Sequence, residues 1–481
     1  MRLMAILSVG VAVLGVGCPN GNTPESPPPT PVSGIKVVNM IPASLSGETN
    51  QDSEPFLAVH PRDRQRMAGS AFTPSPAGPT SPTAPIFITS DGGDTWSLID
   101  TVPSASLTGD ITHAFDGEGG KLFAGILQKP LGLQLEALVA LDFLMPDPMV
   151  VQATRPRVDQ PFVQVHTVAS KDRVYLGLND LAAAGGKTAT VDVSTDGGST
   201  YHSARVETRD TFSQDGPSVR PTVARDATVY VAYFGWRAFD GSIATSDVVV
   251  VRDDHGATGS SPFGDLKDPT DGKPGRLVAK GVRIPWSNEP TLGHERIGST
   301  LSIAADPNHS DTVYVGWGDR TGSDVYTLHV RRSADRGATW SADLRTLHNA
   351  TNVALCVADN GTVGLLYQQF RESGAVAQWV THLDQSTDGF ATSQDIVLAS
   401  VPANTPDPIF LPYLGDYNYL LRAGNEFRGI FSANNTPDKS HFPQGVRYQR
   451  SVDFTSATLK DGDGATVSVS IDPFYFSVPV R

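Results

Sequence analysis

Apolar residues in this chain come in short bursts broken by Gly, Pro, Asp and Asn. Glu54-Pro-Phe-Leu-Ala-Val59, Met67-Ala-Gly-Ser-Ala-Phe72 and Ile86-Phe-Ile-Thr89 are the first of them. Short runs rich in β-branched and aromatic residues, bounded by turn formers, read as strands rather than helices. The same succession returns down the chain. Asp110 to Phe115, Lys121 to Ile126 and Ala137 to Leu141 form a second set, and Asp159 to Val165, Val174 to Leu178 and Thr190 to Val193 a third. Later sets begin near Pro217, Ser299, Val353 and Tyr417. Their second members share a Val-Tyr start, as in Val174-Tyr-Leu-Gly-Leu178, Val229-Tyr-Val-Ala-Tyr233 and Val313-Tyr-Val-Gly-Trp317, which fixes the register between repeats. The seventh set takes Tyr417 to Leu421, Phe427 to Phe431 and Val446 to Gln449 as its strands. Seven repeats result, with residues 260–295 as an insertion after the fourth. The strand near Ile35 and the tail Ala465 to Ile471 could pair and hide the sheet edges at the two ends of the chain.

The repeats are punctuated by one turn. Thr89-Ser-Asp-Gly-Gly-Asp-Thr-Trp96 returns as Ser194-Thr-Asp-Gly-Gly-Ser-Thr-Tyr201 and Ser333-Ala-Asp-Arg-Gly-Ala-Thr-Trp340. In each, the carboxylate (Asp91, Asp196, Asp335) can accept backbone N–H bonds. The glycine (Gly93, Gly198, Gly337) supplies a positive φ. The aromatic (Trp96, Tyr201, Trp340) can pack between sheets. Looser copies centre on Asp254 and Asp388. An internal repeat of this kind sets the architecture before any chemistry is considered.

This turn resembles the Asp-box, or bacterial neuraminidase repeat, of sialidase-like proteins. The resemblance implies an all-β propeller of four-stranded antiparallel blades. Seven blades fit the spacing from Asp91 to Asp196, and six, the sialidase number, is the alternative. It also implies that the motif sits on outer turns, away from any active site. For activity it implies exo-α-sialidase-like glycoside hydrolysis, with three arginines on the substrate carboxylate, a Tyr–Glu nucleophile and an Asp acid/base. The family's early Arg-Ile-Pro occurs here only as Arg283-Ile-Pro285, after the fourth repeat, and no three arginines form an obvious set.

The net charge of −14 argues against nucleic acid or an anionic membrane surface as the partner. It leaves glycans, glycoconjugates or an envelope protein. Residues 1–18 combine Arg2, an apolar run too short to span a bilayer and small residues before Cys18. Pro-rich residues 19–34 read as a tether to a single propeller over 35–481. These features predict an extracytoplasmic, monomeric envelope lipoprotein that meets the membrane only through a lipid on Cys18. Cys356, in an apolar run, then has no partner and reads as a small core residue.

First strands line the channel of a propeller, so residues just before them stand at its mouth. Glu54, Asp110, Asp159, Asp215, Glu295 and Asp416 occupy such places. An acidic mouth could bind sugar hydroxyls or hold a structural Ca2+; no cofactor is required. Leu411-Pro-Tyr-Leu-Gly-Asp-Tyr-Asn-Tyr419 places acid and aromatics together, as sugar sites do. Asp416, Tyr417 and Glu54 are therefore the catalytic candidates. Arg220, Arg296, Asp110, Asp159, Asp215 and Tyr419 are the substrate-binding ones. The histidines show no HxxxH or HxH pair, and no metal ligand set is assigned. A non-catalytic propeller that binds a protein or carbohydrate at the envelope is the competing expectation.

Overall fold

The computed structural model describes residues 33–72, 86–99, 108–128, 132–141, 143, 149–184, 186–210, 218–286, 292–372 and 376–481. The signal, Cys18 and most of the tether lie outside the described residues.

Among the described residues the strands form seven four-stranded antiparallel sheets and one three-stranded sheet. The four-stranded sheets correspond to the seven repeats. Their first strands are Ser53–Val59, Thr108–Phe115, Val158–Val168, Val219–Val223, Leu301–Ala305, Ala350–Val357 and Tyr419–Arg422. Each first strand lies against the next, and Tyr419–Arg422 returns to Ser53–Val59, so the seven make a closed ring. An apolar cluster fills every gap between neighbouring sheets. Tyr175, Val191 and Val193 of the third sheet meet Val229, Val231 and Tyr233 of the fourth. Val38, Ile430 and Tyr475 of the seventh meet Leu57, Met67 and Phe87 of the first. Each sheet thus buries both faces against its neighbours. The Val-Tyr strands add a polar tie, because the Tyr175 hydroxyl donates to Gly256 O (3.1 Å) and the Tyr230 hydroxyl to Ser310 O (2.8 Å), each on the following repeat.

Ring closure differs from the expected pairing. Val446 to Gln449 is not a strand. The seventh sheet takes its third strand from Ile471–Pro479 and its fourth from Lys36–Asn39, with Lys36 opposite Ser477 and Asn39 opposite Phe474. The two ends of the chain therefore share one sheet, and the outer strand of the last blade is N-terminal. Residues between the second and third strands leave the sheet and carry the separate hairpin Ser451–Asp453, Thr458–Lys460 and Thr466–Val467. Asp453 serves the turn of that hairpin through Thr455 and Ser456 N–H. Residues 260–295 are more than an insertion, since Arg276–Pro285 within them is the outermost strand of the fourth sheet.

The repeated turn has one geometry in four copies. Thr89, Ser194, Ser333 and Ser386 each donate a hydroxyl to the Asp two residues on, at 2.7–2.9 Å. Each hydroxyl oxygen also accepts the N–H four residues on. The Asp in turn accepts both the N–H and the hydroxyl of a Thr four residues further: Thr95, Thr200, Thr339 and Thr392. Gly93 has φ +85°, and a Cβ there would enter the Tyr475 ring. In the fourth copy Phe390 takes the same position at φ 68°, so the turn enforces the angle even on a side chain that resists it.

The Asp254 copy is shifted by one residue. Asp253, not Asp254, accepts the turn N–H groups of His255 and Ala257, in the place of Ser194. Asp254 instead pairs with Arg336 of the next sheet at 2.8 Å and with Arg252. The aromatics pack as expected. Trp96 is buried 5.5 Å from the Tyr475 ring, and Trp340 and Tyr201 are half-buried against the clusters of their gaps.

Candidate functional site

Four first strands carry an irregularity near their start, between Ser53 and Phe56, Thr108 and Ile111, Asp159 and Phe162, and Thr351 and Ala354. Bulges re-aim side chains at such places. Glu54, Gln160 and Asn352 sit in three of them with φ of 54°, 54° and 56°, a conformation costly for residues with a Cβ. The result is convergence at one end of the channel. Sheets one, two and three deliver Glu54, Asp110 and Asp159. Arg220 comes from the fourth, Arg296 from the approach to the fifth, and Asp416 from the approach to the seventh.

Asp416 is 1% exposed and bound by Arg296 through two N–H bonds of 2.8 and 2.6 Å, the planar fork geometry of a strong ion pair. The Arg296 guanidinium stacks 4.5 Å over the ring of Trp286. Asp416 also accepts Gln160 Nε2 at 3.3 Å, and its own N–H donates to Glu54 Oε1 at 3.2 Å. Ser299 donates to Gln160 Oε1 at 3.0 Å. The Tyr417 hydroxyl donates to Asp110 Oδ1 at 3.0 Å. Glu54 shares a hydrogen bond with Asp110.

Four carboxyls thus face two guanidiniums. With Asp416 matched to Arg296, Glu54 and Asp159 sit beside other carboxylates at low dielectric, which favours their protonated forms. Burial, then Asp110 and Asp416, push the Glu54 carboxyl well above the usual range. Burial and Asp110 raise Asp159 to about 7. Asp159 is the least buried of the four, and its Oδ1 accepts the neighbouring Gln160 N–H at 3.0 Å.

Among the sequence candidates, Glu54, Asp110, Asp159, Asp416, Tyr417, Arg220 and Arg296 meet at this centre. Tyr419 lies deeper in the channel, its ring stacked 3.9 Å from that of Phe56. Asp215 lies outside the described residues. Glu295 turns inward and accepts Leu414 N–H, so it braces the segment that carries Asp416. Arg283 is exposed on the outermost strand of the fourth sheet, so Arg283-Ile-Pro285 contributes nothing to the centre. Gln160 was not foreseen. Its signal is the pattern acid or amide followed by Pro, shared by Glu54-Pro55 and Gln160-Pro161 at the start of a first strand.

A second carboxylate group, Glu48, Asp52 and Asp472, has ligand spacing for a cation. Asp472 is saturated, however. Asn435 Nδ2 and Ser470 Oγ donate to Oδ1, while Asn39 Nδ2 and Arg450 Nη2 donate to Oδ2. With its lone pairs taken by donors and a guanidinium inside the group, this cluster fits a structural ion pair better than a calcium site.

No family model matches the chain, and no curated protein sequence matches it. Solved structures with similar topology include an α-L-arabinanase of Penicillium chrysogenum complexed with arabinobiose. It is 13% identical, with 92% of this chain and 98% of that one covered, at a TM-score of 0.44. An α-L-arabinofuranosidase of Fusarium graminearum with arabinobiose is 12% identical over 92% and 97% of the two chains, at 0.41. An ulvan lyase of polysaccharide lyase family 25 is 12% identical over 80% and 92%, at 0.49. At these identities and scores the likeness carries no argument about chemistry, and the fold rests on the strand order above.

Proposed function

We propose that the chain is a glycan-acting propeller whose acidic centre catalyses glycoside hydrolysis. The observation that carries this reading is the group Glu54, Asp110, Asp159 and Asp416, in which burial and neighbouring carboxylates raise Glu54 and Asp159 while Asp416 is held in an ion pair with Arg296. Such a contrast supplies an acid and a base in one site at neutral pH. Asp159, the least buried of the four and raised to about 7, is the proton donor in this scheme. It protonates the glycosidic oxygen as the bond from that oxygen to the anomeric carbon breaks. Water then bonds to the anomeric carbon, and its proton passes to a carboxylate of the centre. Arg296 and Asp416 offer fixed donors and acceptors for sugar hydroxyls. Glu54, hydrogen-bonded to Asp110, lies behind them.

The sialidase-like form of this activity is the narrower version. Arg220 and Arg296 supply two guanidiniums, and Tyr417, hydrogen-bonded to Asp110, is the tyrosine assigned as nucleophile in this version. The depth of Asp416 and Glu54, 1% and 6% exposed, favours a second reading, a non-catalytic propeller that binds a glycan or an envelope protein. A location at the envelope with a lipid on Cys18 belongs to both.

A panel of fluorogenic glycosides, with sialosides and α-L-arabinofuranosides included, separates the two. The catalytic reading predicts turnover of at least one substrate, reduced at least about a hundredfold in Glu54→Gln and Asp159→Asn. Turnover of none transfers the assignment to the binding module.

A further inference from the structure

Phe56, Phe162 and Tyr419 form an aromatic layer in the channel, with Phe56 5.1 Å from Phe162 and stacked 3.9 Å from Tyr419. Beside it lies a cavity of about 460 Å³ that begins at Arg220 and Tyr417. It runs toward the far ends of the first strands, past Val59, Val223, Ala305 and Val357. Its mouth carries Arg64, and Arg422 paired with Asp359 at 2.9 Å.

Arg220 stands at the inner end of this cavity and is 2% exposed. Its guanidinium lies 4.6 Å over the Phe162 ring and 5.3 Å over the Tyr417 ring. Its Nη2 reaches Gln160 Oε1 only at 3.4 Å, and its Nη1 has no hydrogen-bond partner. The other arginine of the centre has a carboxylate partner, since Arg296 binds Asp416, whereas among the described residues no ion pair is formed by Arg220. A buried guanidinium with an unused N–H is costly unless something completes it. A planar fork of donors between aromatic faces suits a carboxylate, which accepts two parallel N–H bonds in one plane.

We propose that this half of the channel is a second binding site, entered from the face where the first strands end, for a small organic carboxylate. The anionic end pairs with Arg220, and an apolar or cyclic body lies along Phe162 and Tyr419. The site meets the acidic centre at Arg220 and Tyr417 but is entered from the opposite end of the channel, and the inference stands whether or not that centre hydrolyses glycans.

Isothermal titration of the full chain with benzoate, and with benzamide as its uncharged isostere, tests it. The expected result is saturable 1:1 binding of benzoate, with benzamide weaker by roughly tenfold or more and Arg220→Met weaker by a similar factor. Thr222→Phe provides an independent variant. Thr222 is two residues along the same strand, lines the cavity, and so points into it beside Arg220. Its phenyl ring should occupy the space beside the guanidinium where the benzoate ring would lie and abolish binding while Arg220 stays in place, which keeps the test decisive should Arg220→Met fail to fold. Absence of saturable benzoate binding to the unaltered protein overturns the proposal. Equal binding of benzoate and benzamide does so too, as does benzoate binding retained in Thr222→Phe.

Discussion

Replacing Asp472 with Asn tests the lock that closes the ring. Asp472 opens the strand Ile471–Pro479, which joins the two ends of the chain, and both it and Arg450 are fully buried. The carboxylate accepts from Asn39, Asn435, Ser470 and Arg450. Asn removes the charge and turns one acceptor oxygen into a donor NH2, which must then face two donors. Breaking a buried ion pair on one side costs about 3–5 kcal/mol. The orphaned donors belong largely to that same figure, at about 1–3 kcal/mol each, so the expected loss is about 4–5 kcal/mol. Against a total stability of about 5–15 kcal/mol this is severe. Urea denaturation followed by tryptophan fluorescence reads it, with Trp96 on Tyr475 of the same closing strand among the reporters. The double variant Asp472→Asn with Arg450→Met removes both charges while keeping an acceptor oxygen for the neighbouring donors, and should recover the part of the loss that comes from the unpaired guanidinium. A single-variant loss below about 1 kcal/mol, or a double variant as unstable as the single, would refute the reasoning. Calcium added to the unaltered protein should leave the midpoint unchanged, since a bound ion would have to displace the donors on Asp472.

Other predictions follow from single positions. Gly93→Ala should destabilise by about 2–4 kcal/mol, because a positive φ and a clash with Tyr475 act together. Gly389→Ala, at φ +69° with open space around it, should cost only about 1 kcal/mol, and thermal melts compare the two. Glu48 is raised to about 7, by burial first and Asp472 second. A carboxyl raised on folding favours the native state below its unfolded pKa near 4.5, and this advantage is lost as pH climbs through about 7. Glu48→Gln should therefore gain stability relative to the unaltered protein as pH rises from 5 to 8, by up to about 3 kcal/mol in denaturant titrations. Cys18→Ala should prevent incorporation of labelled palmitate and release the chain from the membrane fraction. Unchanged fractionation would remove the lipid anchor from the account.

What could be read from the sequence was local. Turns such as Thr89 to Trp96 specify their own hydrogen bonds within eight residues, so their spacing placed the sheets. The Asp254 copy slipped by one because two adjacent aspartates, Asp253 and Asp254, both fit the pattern and only the backbone N–H groups choose between them. Strand order at the closure was less legible. Lys36–Asn39 and Ile471–Pro479 are partners across the whole chain, and the tail's Pro473 and Pro479 weaken its strand signal. At the centre, first-strand position was enough to gather Glu54, Asp110, Asp159 and Asp416. The pairing of Arg296 with Asp416, 120 residues apart, and the bridging role of Gln160 are products of the ring alone. The inward turn of Glu295 has the same origin, since the backbone N–H it serves, Leu414, belongs to a distant loop.

The most direct test of the acid–base centre is the pH dependence of kcat/KM for the best glycoside of the panel. With Asp159 acting as proton donor, the rate should fall as pH rises through about 7, and Asp159→Asn should lose both that limb and most of the rate. A profile flat from pH 5 to 8, or Asp159→Asn turning over as fast as the unaltered protein, would contradict the account.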